Sequence, residues 1–492
     1  MGDAVYQHGS TRGLAGAVRQ HVQMLGFFGL SALSLAAFVV SLVAPSIVID
    51  LFCCALFALL VGWVYQTSKL SFVLLLPILM YRISSFASLV IISSGAKIPE
   101  IGRVGEESSA CPSYLLMTIM FFGLIVTFIE FLGQKFFKRS YDNFYSKLDL
   151  KLSLSPIAIG VVLALIAIQV LILFAYGALN GFPLITRTDR FLYRMMSGNA
   201  LYVFVLNFKL ITALMFGMAV ISVRAKEARF LLIASYVVLV FFYILFGEKF
   251  NQLLLITFTS AIPVLLFNAK SLGKLIARFA PIALSVSVLS LFLVFFIYSD
   301  YGRMNLAATS ERVFGRMAQQ SQLWYIVNLQ DIKLFKFDDR YFSDLLHTMT
   351  SFGADQIFFQ RQMGAFYFIY KYSPSNISNS IALMQGAVQF TQVSEALFLD
   401  IFGVSGLVFY LILSSFLYSG FVLFLVSAIF SGSLLRVALW AVYMSGVLAM
   451  LNQGAIHQAV GLGLPRYAIL ALLIEFGMRW LAGQSARYRT AA

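Results

Sequence analysis

Long apolar runs alternating with short polar connections constrain this chain more than any motif does. Stretches such as LSPIAIGVVLALIAIQVLILFAYGAL and NALYVFVLNFKLITALMFGMAV carry at most one charge. About 20 apolar residues cross a bilayer core as a helix, and inside lipid every backbone polar group must be paired within the structure. Repeated runs of this kind predict an all-α polytopic integral membrane protein. Composition agrees: 60% of the 492 residues are hydrophobic and 11% charged, with mean hydropathy +0.88, against about 25% charged in soluble domains. Twelve spans are expected, at 23–45, 47–66, 70–94, 114–134, 153–177, 199–222, 229–247, 251–268, 280–299, 402–430, 434–452 and 463–481. The first run is full length and lacks a small-residue cleavage site, so it reads as a retained span rather than a leader.

Alternate connections differ in basic content. The set containing the N-terminus, 67–69, 135–152, 223–229, 269–279, 431–436 and the C-terminal tail carries most of the Lys and Arg, including Lys135, Lys138, Arg139, Lys147 and Lys151. The positive-inside bias then puts both termini in the cytoplasm. The net charge of +14 fits anionic lipid surfaces and lipid-linked anions rather than nucleic acid. Residues 300–401 form one long outer segment between spans 9 and 10. It has no linker that would separate a domain, so the 492 residues read as a single membrane domain.

The connection 179–198 is also outer, yet it contains Arg187, Arg190 and Arg194 at i, i+3, i+7, one face of a helix. Snorkelling to lipid head groups would explain them. A stripe of guanidinium forks holding a phosphate or diphosphate is the sharper expectation. Arg303, Arg312 and Arg316 open the long segment and extend the basic surface. The stretches SQLWYIVNLQDIKLF and GADQIFFQRQMGAFYFIYKY suit helices lying against the outer mouth. Arg82 and Lys209 fall inside spans, where a charge faces a cavity or a partner. Glu475 and Arg479 are spaced to pair.

Several groups could take a proton at the outer face. Asp189, among three arginines, is a poor base. Glu395 ranks first, His347 second and Asp400 third, with His457 near the same mouth; Asp400 could equally cap the tenth span. Cys53, Cys54 and Cys111 give no disulfide framework and read as small apolar filler. No GxxxxGK[ST], HExxH or CxxC occurs. The first outer connection, Ala44 to Ser46, has no carboxylate pair, which argues against a metal-dependent glycosyltransferase built there. No matched broken helices are evident, which argues against a secondary transporter.

Four features bear a likeness to a known family: NGFPLITRTDR in a mid-chain outer loop, FGEKFNQLLLITFTSAIPVLL opening a later span, the long outer segment, and FTQVSEALFLDIFGVSG closing it. Over roughly residues 180–410 the chain resembles the Wzy-type O-antigen and oligosaccharide repeat-unit polymerases of bacterial inner membranes. Arg187 precedes Gly198 with ten residues between, as in the family's Arg-rich loop motif; Arg303 and Gly315 have eleven between and depart from it. Lys249 stands where the family's span opens with arginine. The resemblance implies a GT-C-like helical fold and a metal-independent, cofactor-free glycosyltransferase with its site facing the periplasm. A growing glycan on undecaprenyl diphosphate would pass to a lipid-linked repeat unit, with Arg187, Arg190, Arg194, Arg303, Arg312, Arg316, Lys209 and Lys249 around the diphosphate. It also implies membrane lipids and a chain-length regulator as partners. An O-antigen ligase with a lipid A-core acceptor, or a lipid-linked sugar transporter or flippase, are the alternatives.

Overall fold

The computed structural model describes residues 7–98, 100–146, 152–186, 188, 193, 200–248, 250–302, 305–339, 342–343, 371–375, 393–453, 469–470, 472–473 and 476–477, some of them, residues 7–22 included, by backbone alone. The chain is a bundle of helices: α1 (Gln7–Val43), α2 (Ile47–Thr67), α3 (Lys69–Ser93), α4 (Ala110–Lys135), α5 (Lys138–Tyr145), α6 (Pro156–Asn180), α7 (Pro183–Thr186), α8 (Ala200–Ser222), α9 (Lys226–Leu245), α10 (Phe250–Phe267), α11 (Leu272–Gly302), α12 (Leu306–Ala318), α13 (Gln322–Asn328), α14 (Val393–Phe430) and α15 (Leu434–Gln453). An antiparallel hairpin of β1 (Lys97–Ile98) and β2 (Arg103–Val104) interrupts the helices. Among the described residues ten helices are long and apolar enough to cross a membrane, as a multi-pass membrane protein requires. Nine of the twelve expected spans correspond to them, and the one expected at 280–299 is met by a candidate at 269–289 instead. The expected span at 251–268 is a helix whose apolar part, Gln252–Phe267, falls short of that length. Most of 463–481 lies outside the described residues.

Helix starts follow local chemistry. Ser46 accepts from Val48 N to cap α2, Ser68 accepts from Ser71 N to cap α3, and Ser155 caps α6 with Pro156 at its first turn. The centre is α3, α4 and α8, with α14 packed on α4 and α15, and α10 on α3 and α8; α1, α6, α9 and α11 are largely exposed and apolar, as lipid-facing helices are. Close approach of α8 and α10 depends on Gly217, where a Cβ would strike the Ser260 carbonyl oxygen.

Connections expected to share a side do so. At one end, here the hairpin end, Ile47 N donates to Glu107 Oε1 at 3.0 Å and Glu106 N donates to the Tyr325 hydroxyl at 3.1 Å. At the opposite end Ser68 and Tyr145 hydroxyls meet at 3.4 Å, and Gly432 packs near Leu152 and Leu154.

Two expectations change. The helix α13 does not lie on the mouth. Leu323, Trp324, Tyr325, Ile326 and Val327 are all buried, and the helix is wedged among α3, α4 and α14. Polar atoms hold it there: Trp324 Nε1 donates to Ala110 O at 3.0 Å, and Ser321 Oγ donates to Ser85 O at 3.1 Å. The tenth span does not begin at 402. Val393–Phe402 is already helical, and the chain breaks at Gly403 (φ 70°, ψ −164°), a backbone region open only to glycine. Across the break Val404 N and Ser405 N donate to Lys333 O and Leu334 O, each at 3.1 Å. An alanine Cβ at 403 would run into that same carbonyl of Lys333. The broken helix also weakens the sequence argument against a transporter.

Candidate functional site

Arg82 sits midway along α3 and is 3% exposed. Its partner comes from 313 residues away: Arg82 Nη2 donates to Glu395 Oε1 at 2.5 Å. Nη1 donates to the Tyr114 hydroxyl at 2.5 Å. The guanidinium also lies over the rings of Tyr114 and Phe121, 5.4 and 5.0 Å from their centroids. Phe86 and Trp324 pack edge-on against Tyr114 and complete an aromatic wall. Glu395 occupies the first turn of the helical arm before Gly403, and is 1% exposed. Beside it, Ser394 Oγ donates to Met450 O at 2.5 Å and ties the arm to α15.

This geometry corrects the placement of Glu395. The sequence put it in an outer segment near the bilayer surface, whereas the arm carries it inside the bundle. A buried cation on α3 needs a counter-charge, and the arm delivers one. The pair is not closed on itself. Among the described residues Glu395 Oε2 has no hydrogen-bond partner, and the buried Tyr410 hydroxyl lies within electrostatic range of both Glu395 and Arg82. The site can therefore accept a proton or a hydroxyl at a fixed carboxylate oxygen while Arg82 holds the other.

A second, partly buried pair lies near α3. Lys209 Nζ donates to Glu248 Oε1 at 3.2 Å. Glu248, in the FGEKF connection after α9, is 4% exposed, and Tyr81, the neighbour of Arg82, lies within its electrostatic range. Lys209, inside a span, was expected to face a cavity or a partner, and the resemblance put it around the diphosphate; the structure pairs it with Glu248. Glu248 was missed, although its motif was noted for Lys249. Lys249 lies outside the described residues, as do Arg187, Asp189, Arg190, Arg194, Arg303, His347, His457, Glu475 and Arg479. The Arg-rich loop does have one described anchor. Tyr193 donates to Gly181 O at 2.8 Å and packs against Tyr176, Tyr202 and Phe246.

Asp400 does not simply cap a helix. It ends the arm, 6% exposed, accepting from Lys371 Nζ at 2.5 Å and the Tyr372 hydroxyl at 3.1 Å, while Lys336 Nζ donates to its backbone carbonyl at 2.6 Å. It thus fastens the long segment to the arm that carries Glu395. Arg312 and Arg316 are exposed on α12 at the hairpin end. Arg316 donates to Gln319 and its charge acts on Glu100, a hairpin carboxyl whose pKa is raised by burial and opposed by a hydrogen bond from Gln322.

Two carboxylates do approach the first connection. Asp50, 1% exposed in the first turn of α2, lies within electrostatic range of Glu107. Among the described residues no group of three or more His, Cys, Asp or Glu side chains is arranged to hold a metal ion.

Comparison with curated proteins and with solved structures returns no significant match. Residues 359–465 are similar to a family model described as a family of unknown function, DUF6418; the matched stretch takes in the arm with Glu395 and Asp400, the break at Gly403 and α15.

Proposed function

We propose that this chain is a bacterial inner-membrane polysaccharide polymerase, transferring a growing glycan from undecaprenyl diphosphate onto a lipid-linked repeat unit at the periplasmic face. The observation that carries the reading is the half-satisfied carboxylate of Glu395. Arg82 fixes Oε1, and Oε2 is left to take the proton of an acceptor hydroxyl as that hydroxyl attacks the anomeric carbon. The departing lipid diphosphate gathers charge, and pre-placed cations lower the barrier to its departure. Arg187, Arg190 and Arg194 supply that charge in the loop anchored by Tyr193, with Arg303, Arg312 and Arg316 at the start of the long segment. Glu395 is buried inside the bundle, so substrate binding must displace part of what surrounds it. The lysines around Asp400 tether the arm during that movement.

The test is reconstituted protein given a lipid-linked repeat unit and assayed for a glycan ladder. Wild type should build one, and Glu395→Gln, which keeps the shape and removes the base, should not. A full ladder at the wild-type rate from Glu395→Gln would remove Glu395 from the chemistry. Consumption of a lipid A-core acceptor instead would indicate a ligase. One observation favours a second reading, a flippase for the same lipid-linked sugar: a helix broken at Gly403 whose arm carries the Arg82–Glu395 ion pair inside the bundle, as in transporter sites. A flippase would move the substrate across the vesicle without lengthening it.

A further inference from the structure

All three cysteines of the chain converge at one place. Cys53 and Cys54 lie in the second turn of α2, and Cys111 in the first turn of α4, near the hairpin end. Cys111 Sγ lies 3.8 Å from Asp50 O, one turn before Cys53 and Cys54 on α2, where α2 packs on α4, and both thiols are within electrostatic range of it. Three cysteines scattered through 492 residues have no reason to meet as apolar filler. Their burial is unequal: Cys53 and Cys111 are buried, and Cys54 is half-buried. Thiols facing each other from two packed helices suit thiol–disulfide chemistry.

We propose that Cys54 and Cys111 are an attacking and a resolving thiol that close to a disulfide between α2 and α4. The oxidant is a small lipid-permeant disulfide. The Cys54 thiolate attacks one of its sulfurs, forming a mixed disulfide and releasing the first thiol. Cys111 then loses its proton and attacks the Cys54 sulfur, forming the Cys54–Cys111 bond and releasing the second thiol. Two protein thiols are oxidised and one oxidant disulfide is reduced to two thiols, so atoms and electrons balance. Cys54 is the thiol a reagent reaches, and Cys111 is shielded from direct attack but adjacent to it. The closed bond would staple α2 to α4, the helix that supplies Tyr114 and Phe121 to Arg82.

The experiment treats the full-length protein, purified under reducing conditions and reconstituted in lipid, with 2,2′-dithiodipyridine. Released thiopyridone is followed by absorbance and the products by non-reducing peptide mass spectrometry. Wild type should release two equivalents in succession and yield a Cys54–Cys111 linked peptide, lighter by two hydrogens. Cys111→Ser should release one equivalent and keep a stable mixed disulfide on Cys54. Cys53→Ser should behave as wild type, which controls for disturbed folding. A persistent mixed disulfide in wild type, no reaction at Cys54, or a linkage through Cys53 would each overturn the proposal. None of these outcomes depends on whether the protein polymerises glycans.

Discussion

Removing Arg82 strands a carboxylate inside the bundle, and the resulting loss of stability can be worked out in advance. Arg82→Met keeps an unbranched apolar stem but removes the guanidinium, so Glu395, 1% exposed, loses its only charged neighbour among the described salt bridges. Breaking a buried pair from one side costs about 3–5 kcal/mol. Taking the cation away from the Tyr114 and Phe121 faces adds roughly 0.5–2 kcal/mol. Glu395→Gln is milder, because Arg82 keeps Tyr114 and gains a neutral acceptor; the weakened charge-assisted bond costs about 1.5–3 kcal/mol. The double variant Arg82→Met, Glu395→Gln leaves no stranded charge. It should be more stable than the sum of the singles by about 0.5–3 kcal/mol. The assay is unfolding in mixed micelles by denaturing detergent, followed by helical circular dichroism, on all four proteins. If Arg82→Met falls within about 0.5 kcal/mol of wild type, or if the two effects simply add, the pair does not hold the arm in place and the account of the site fails.

Three further outcomes follow from the geometry. Gly403→Ala should destabilise by about 1–3 kcal/mol from the backbone alone, in the same detergent titration, with the clash against Lys333 adding to it. In the ladder assay Arg187→Ala with Arg190→Ala should cost about 2–4 kcal/mol of transition-state stabilisation for each guanidinium removed, and Arg→Lys should be nearly as harmful because an ammonium cannot make the bidentate fork; full activity would end the clamp hypothesis. Glu100 carries a raised pKa in the folded state, so the folded protein holds its proton more tightly than the unfolded chain. Its contribution to stability is full at acid pH and is lost as pH rises from the ordinary glutamate range through the raised value; Glu100→Gln should flatten that fall in a pH series of thermal unfolding curves.

The membrane class and most helix ends were legible in the sequence because they are local. A run of apolar residues commits its own backbone to a helix in lipid, and Ser46, Ser68 and Ser155 cap within three residues. Charge alternation between connections correctly grouped 44–46 with 94–113 and 67–69 with 135–146 at opposite ends of the bundle. Buried Arg82 also announced that it needed a partner. What the sequence withheld was which one. Arg82 and Glu395 are separated by 313 positions, and no periodicity links them. The same holds for Lys209 with Glu248, and for Cys111 with Cys53 and Cys54. The arm Val393–Phe402 read as the end of an outer loop because hydropathy counts residues and does not register a helix that runs inward before Gly403 turns it. Sequence determined that apolar helices form and where the capped ones, α2, α3 and α6, start, since those depend on neighbours along the chain. Only the tertiary structure decided which buried charges meet, because in a low-dielectric interior each ionised group is held by whatever the fold brings within about 4 Å of it, however far away along the chain.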